Sequence, residues 1–264
     1  MQSEKPERHT IHFVGAGPGD PDLITVKGRR ALARADLVIF AGSLVPEALL
    51  RWTQPSCECI DSAPLHLDDI VALMKTAYRR GKRVVRLHTG DPSLYGAVFE
   101  QMAALAADGI PCAVIPGVTA AFAAAAALGI EYTLPEVSQT LILTRMAGRT
   151  PVPESEDLGR LAAHRASMAI YLSISMVDRV QQVLAAQYGA DAPCAVVYRA
   201  SHPDEKTVRT VIGRLAETVH AEQITRQAVI VVGKVLSVSL DRLEKRSRLY
   251  DKHFAHGFRG HDDG

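Results

Sequence analysis

Four short apolar runs in the first 117 residues each stop at a turn built on glycine or proline. The runs are Ile11–Val14, Leu37–Ala41, Val84–Leu87 and Ala113–Ile115. The turns read Gly15-Ala16-Gly17-Pro18-Gly19-Asp20-Pro21, Gly42-Ser43-Leu44-Val45-Pro46, Gly90-Asp91-Pro92 and Pro116-Gly117. Between them, Leu23–Ala35, Asp68–Arg80 and Leu94–Ala107 have helical spacing. Continuous apolar runs suit strands buried on both faces, so the alternation predicts a parallel sheet covered by helices on each side.

The texture changes after Pro116-Gly117. A helix over Thr119–Leu128 ends at Gly129. Strands are expected at Leu141–Arg145, Ala169–Ser173, Ala195–Ala200, Thr207–Ile212 and Val229–Lys234, with helices at Ser155–His164, Val177–Tyr188 and Arg214–His220. The segments 208–214 and 228–234 suit adjacent antiparallel strands. The expected fold is therefore two α/β domains, a largely parallel one over residues 10–117 and a mixed one over 118–241. A polar, basic and aromatic tail occupies 242–264.

Composition narrows the function classes. Lys and Arg total 30 against 29 Asp and Glu, which argues against a general nucleic-acid surface or a polybasic membrane anchor. A local basic trough for a small acidic molecule remains compatible with that balance. No apolar run reaches the roughly 18 residues a membrane span needs. Residues 1–10 are polar, without a signal peptide's pattern, so a cytoplasmic protein is expected. The four cysteines, Cys57, Cys59, Cys112 and Cys194, lack zinc spacing and read as structural. The ten histidines are dispersed, with His12 and His88 read as core or sheet-end residues. No metal site is expected.

In an open α/β sheet the turns at the carboxyl ends of strands are where ligands bind. At His88–Gly96, Gly90 allows close backbone approach, Asp91 can cap amides or accept from a ligand, and Pro92 fixes the turn. The Gly15–Gly19 loop looks like a dinucleotide fingerprint but lacks two of its requirements. Asp20 stands where the third glycine should be, and Ala41-Gly42-Ser43 stands where an acid would hold a ribose. An acid at position 20 would also repel a pyrophosphate at a helix start. A nucleophile elbow, a phosphate-binding P-loop and a zinc-protease helix motif are all absent from the sequence.

Three motifs together carry a family resemblance. Val14-Gly15-Ala16-Gly17-Pro18-Gly19-Asp20-Pro21-Asp22-Leu23-Ile24-Thr25-Val26-Lys27-Gly28 resembles the first signature of the tetrapyrrole methylases, which use S-adenosylmethionine. Thr89-Gly90-Asp91-Pro92 resembles the second, and Ile115-Pro116-Gly117-Val118-Thr119-Ala120-Ala121 a third. Further stretches resemble the branch that C-methylates a corrin precursor in cobalamin synthesis. They are Ala41–Val45, His88–Ala97, Glu131–Thr140, Leu143-Thr144-Arg145 and Leu249-Tyr250-Asp251. Uroporphyrinogen methylases typically carry an Asp at the place of Ala41, so this chain departs from them there.

The resemblance implies a C-methyltransferase acting on a tetrapyrrole, usually as a homodimer, with S-adenosylmethionine held in the cleft between the domains. The cofactor positions it implies are Pro18, Thr89, Gly90, Asp91, Leu94, Thr119, Ala120, Leu172, Ala200 and Ala228. Gly15, Gly17 and Ser43, with the cations Lys27, Arg145 and Arg199, are candidates for the substrate and its carboxylates; Arg149 is a further cation in the same class. No catalytic side chain is identified. Other tetrapyrrole C-methylations, or pigment binding without chemistry, are the alternative readings.

Overall fold

The computed structural model describes residues 9–239, and contacts divide the chain into two compact units. The first comprises residues up to Ala123 together with Arg199–Asp204, and the second spans Ala124–Tyr198 and the chain from Glu205. This division falls inside a helix, a few residues beyond the Pro116-Gly117 turn. The expected tail, with Leu249-Tyr250-Asp251, lies outside the described residues.

The first unit holds strands β1 (Ile11–Gly15), β2 (Leu37–Phe40), β3 (Glu58–Asp61), β4 (Val84–His88) and β5 (Cys112–Ile115). They form one sheet in the order β3-β2-β4-β1-β5, parallel throughout. Helices α1 (Val26–Leu32), α2 (Leu67–Arg79) and α3 (Val98–Ala106) connect them. Alternation along β1 explains the two-sided core. Ile11 and Phe13 pack with Met74, Tyr78 and Leu105 of α2 and α3, while Val14 packs with Ile24, Leu32 and the short 3-10 segment around Leu49 on the α1 side. β3 was missing from the expectation because Glu58-Cys59-Ile60-Asp61 is an exposed edge strand without an apolar run.

Two expected helices start later than their spacing suggests. Pro21–Leu23 is a separate 3-10 turn capped by Asp20, and α1 begins only after the Thr25 hydroxyl accepts from Gly28 N at 3.1 Å. The helix expected from Leu94 begins at Val98, because Tyr95 (φ 56°) and Ala97 (φ 46°) adopt left-handed backbone.

Helix α4 (Ala120–Leu128) leads to the second sheet: β6 (Leu141–Arg145), β7 (Ser167–Tyr171), β8 (Pro193–Tyr198), β9 (Lys206–Val211) and β10 (Ala228–Val232). Its order is β6-β7-β10-β8-β9. β6 and β7 are parallel and the remaining pairings antiparallel, so the sheet is mixed. The expected neighbouring of 208–214 and 228–234 is not found. β8 lies between β9 and β10, antiparallel to both, because its unbroken buried run Cys194–Val197 claims a central position. Helices α5 (Leu158–Ala162), α6 (Val177–Tyr188) and α7 (Leu215–Ala221) pack over Met168, Ile170, Val196 and Ile230.

Candidate active site at the strand ends

β1 and β4 are neighbours, yet the helices that follow them cover opposite faces of the sheet. Such a pair leaves a crevice outside its carboxyl ends. Three turns meet there. The Gly17 amide donates to Gly90 O at 3.2 Å, the Gly90 amide returns to Gly17 O at 2.8 Å, and Ala16 N donates to His88 O at 2.7 Å. The third turn is locked in by contact between backbones. A Cβ at Gly15 would lie 2.5 Å from Gly117 Cα and 2.7 Å from Gly90 O, and one at Gly117 would lie 2.2 Å from Gly90 O. Gly15 thus serves the packing of three loops. Gly90 itself has φ +60°, and a Cβ there would meet Thr119 Cα at 3.8 Å and Val118 O at 3.9 Å, ordinary contacts, so its left-handed backbone is what calls for glycine.

Asp91 ties these turns together. One carboxylate oxygen accepts from Gly117 N at 2.9 Å, and the other accepts from Ser93 N at 2.8 Å and from the Ser93 hydroxyl. Burial alone raises the pKa of this carboxyl; hydrogen bonds from Ser93 and Gly117 outweigh it and hold the group below the usual carboxylate range. Thr89 beside it is exposed, Leu94 half-buried, Thr119 buried and Ala120 the first residue of α4.

The segment Arg199–Asp204 belongs to the same unit and clamps the glycine-rich loop. Ser201 Oγ accepts from Asp20 N at 2.9 Å. A Cβ at Gly19 would fall 2.3 Å from the His202 ring, so only glycine lets that imidazole lie against the loop. Arg199 Nε stands 2.8 Å from Asp204 Oδ1, and its other nitrogen lies 3.1 Å from His202 Nδ1. Burial and the Arg199 charge keep the His202 pKa low. Arg199 and Ser201 both have positive φ (45° and 65°) on either side of buried Ala200. Ser201 and His202 were missed from sequence because they fall in none of the three motifs.

In the second unit one end of the sheet collects the remaining candidates. β10 pairs antiparallel with β7 through Ile230 and Ile170, Ala228 at the start of β10 pairs with Tyr198, and Leu172 follows the end of β7. Leu172 is two-thirds exposed with φ 53°, and Gln227 before Ala228 has φ 51°. Non-glycine residues in this region are costly and cluster where the backbone serves a ligand. Arg145 pairs with Tyr171 in the same sheet, but its guanidinium donates to Thr150 O and Pro151 O, at 3.1 and 2.6 Å.

Three further placements bear on chemistry. Lys27, in the first turn of α1, lines a concavity with Arg83 and Val84 at the start of β4 and Ile115 at the end of β5. Ser43 lies in an exposed turn after β2, where the Gly42 amide donates to Asp61 Oδ1 at 2.8 Å. Amides of Ala63 and Gly42 lower the Asp61 pKa, which makes this carboxylate a weak base. His88 stacks on Phe13 with ring centroids 5.9 Å apart, and burial, then Arg86, lower its pKa to about 3. Among the described residues, no three metal-ligating side chains converge, no helix is long and apolar enough to cross a membrane, and all four cysteines are free.

Residues 10–216 match the family model described as tetrapyrrole (corrin/porphyrin) methylases. The chain is 51% identical over 243 residues to the precorrin-4 C(11)-methyltransferase of Pseudomonas aeruginosa, covering 90% of this chain and 97% of that one. A solved cobalt precorrin-4 methyltransferase, a cobalamin biosynthetic enzyme, is similar with a TM-score of 0.84 and 46% identity, over 86% of this chain and 95% of that one. A uroporphyrin-III C-methyl transferase from Thermus thermophilus, complexed with S-adenyl homocysteine, matches with a TM-score of 0.72 and 27% identity, over 86% and 93% of the two chains.

Proposed function

The chain belongs to the tetrapyrrole (corrin/porphyrin) methylase family, and from that premise we propose that it transfers a methyl group from S-adenosylmethionine to carbon 11 of precorrin-4, or of its cobalt complex, in cobalamin biosynthesis. The observation that carries this reading is the locked junction of Gly15, Gly90 and Gly117. Beside it in the chain stand Pro18, Thr89, Gly90, Asp91, Leu94, Thr119 and Ala120, which we assign to the cofactor. Ala200, Leu172 and Ala228 are further cofactor positions that we assign on the family resemblance. The boundary we propose between N- and C-terminal domains is that read from sequence, 10–117 and 118–241.

The residues present suit this cofactor. Its recognition needs backbone amides and carbonyls at strand ends, with no cradle for phosphate, and the crevice is made of such turns. When bound, S-adenosylmethionine supplies a methyl on a sulfonium: the S–C bond breaks, its electron pair stays on sulfur, and a C–C bond forms at the ring carbon. The protein's part is to hold both molecules in line and exclude water, which can contribute up to roughly 7–11 kcal/mol. The Asp91 tie fixes the Gly90 turn against the Gly117 turn, so the backbone groups keep their spacing. With Ala41 at the strand end where relatives place an acid, no general base is assigned. For the substrate we retain Gly15, Gly17 and Ser43 as the surface of the trough. Arg145 and Arg199 act through the loops their guanidiniums hold. A carrier that binds the pigment without chemistry has no observation in its favour.

We also propose a cytoplasmic homodimer. Tyr95, Phe99 and Val114 line one exposed concavity beside the cofactor turn, and Phe99 is 87% exposed. Exposed apolar groups grouped in this way mark association surfaces. Calorimetry with S-adenosylhomocysteine tests the cofactor assignment. The protein binds it, and Asp91→Ala weakens binding by roughly tenfold or more, as loss of charge-assisted hydrogen bonds requires, with an unchanged circular dichroism spectrum. Absence of binding by the unaltered chain overturns the reading; equal affinity in the variant overturns the role given to Asp91.

A further inference from the structure

A second concavity, of about 400 Å³, runs beside α1 over the N-terminal sheet, from His9 and Arg83 ahead of the strands to Ile115 at the end of β5. His9, His12, Lys27, Arg30, Arg34 and Arg83 line it, and no carboxylate does among the described residues. Lys27, Arg30 and Arg34 follow one another at spacings of three and four along α1 and just beyond it, so they rise from one face. Like charges at those spacings repel. Among the described residues none of the three makes an ion pair or a side-chain hydrogen bond. Arg83 alone is compensated, by Asp36 at 3.2 Å.

Ordinary helix electrostatics explains only part of this cluster. Cations suit the last turn of a helix, which accounts for Arg30. Lys27 sits in the first turn, where a cation is disfavoured, and its charge bears on half-buried His12. The histidines and Arg83 come from strand starts, not from the helix. With charges of the whole chain nearly balanced, at 30 against 29, this convergence is a local feature. It costs the empty protein self-repulsion that a bound anion would remove.

We propose that this pocket binds a multivalent phosphate group, as a separate site from the methyl-transfer crevice. Guanidinium forks match the oxygens of phosphate, several of which can be engaged at once, and three uncompensated cations on α1 and the turn after it suit a ligand with more than one charge. The inference stands apart from the reaction assigned above, since its test reads the affinity for an anion and not methyl transfer.

Calorimetry on the full chain at low and physiological salt tests it, with tripolyphosphate, ATP and citrate as probes. Tripolyphosphate binds one per chain, and salt weakens it. Arg30→Glu with Arg34→Glu lowers that affinity by roughly tenfold or more. Arg179→Glu with Arg226→Glu makes the same change in net charge on exposed positions of the other unit, and it leaves binding within about twofold. Thermal unfolding of both variants shows that they fold. ATP binding more tightly than tripolyphosphate identifies a nucleotide; equal binding identifies the phosphate chain alone as what is read. No binding at low salt, equal loss in the two double variants, or citrate bound as tightly as tripolyphosphate overturns the proposal.

Discussion

Asp91 illustrates how one side chain can look like a ligand contact in sequence and act as a tie in the fold. Both oxygens are spent on Gly117 and Ser93. Its lowered pKa means the tie is complete above the ordinary carboxylate range and is lost as pH falls through the depressed folded value. His88 titrates against folding in a different window. Its unfolded pKa is 6.5 and its folded one about 3, because burial and Arg86 oppose the imidazolium. The unfolded chain therefore binds the extra proton first, and stability falls as pH drops from about 6.5 toward 3. Replacing His88 by Leu removes that proton uptake. Chemical unfolding across this range then shows a shallower loss for the variant than for the parent; parallel curves would contradict the buried neutral imidazole.

At the scale of elements, the three turns behave as one unit because glycine is required by contact at two of them. Gly15→Ala and Gly117→Ala each drive a methyl into backbone at 2.5 and 2.2 Å. Each variant should lose S-adenosylhomocysteine binding and about 1–3 kcal/mol of stability, the usual cost of overpacking. Gly109→Ala is the control. It has φ +69° but nothing within 4 Å, so it costs only the left-handed backbone, about 1–2 kcal/mol, and keeps full cofactor affinity. Comparable binding in all three variants would sink the claim that the junction builds the site. The sequence made these turns visible because Gly, Pro and Asp are local signals with local causes. It hid β3, whose pairing with β2 comes from the sheet and not from its own residues. It also hid the order of β8, β9 and β10, since three short strands of similar texture leave the central position undecided until they are packed. Ser201 and His202 reach Asp20 and Gly19 across about 180 residues of chain, a contact that no periodicity reports.

For the whole molecule, the two sheets, the family match and the strand-end turns converge on one reaction, while Lys27, at the start of α1, lines the basic concavity. The homodimer we propose predicts that sedimentation velocity finds a dimer, and that Phe99→Glu shifts it toward monomer by placing a charge in an apolar contact; a monomeric parent chain contradicts the assignment. The central claim is methyl transfer itself. The most direct measurement incubates the chain with methyl-labelled S-adenosylmethionine and precorrin-4, metal-free in one arm and cobalt-bound in the other, with mass analysis of the product. The account predicts one labelled methyl at carbon 11 in at least one arm, and none when Gly117→Ala replaces the parent chain; no incorporation in either arm, or a methyl on another carbon, would contradict it.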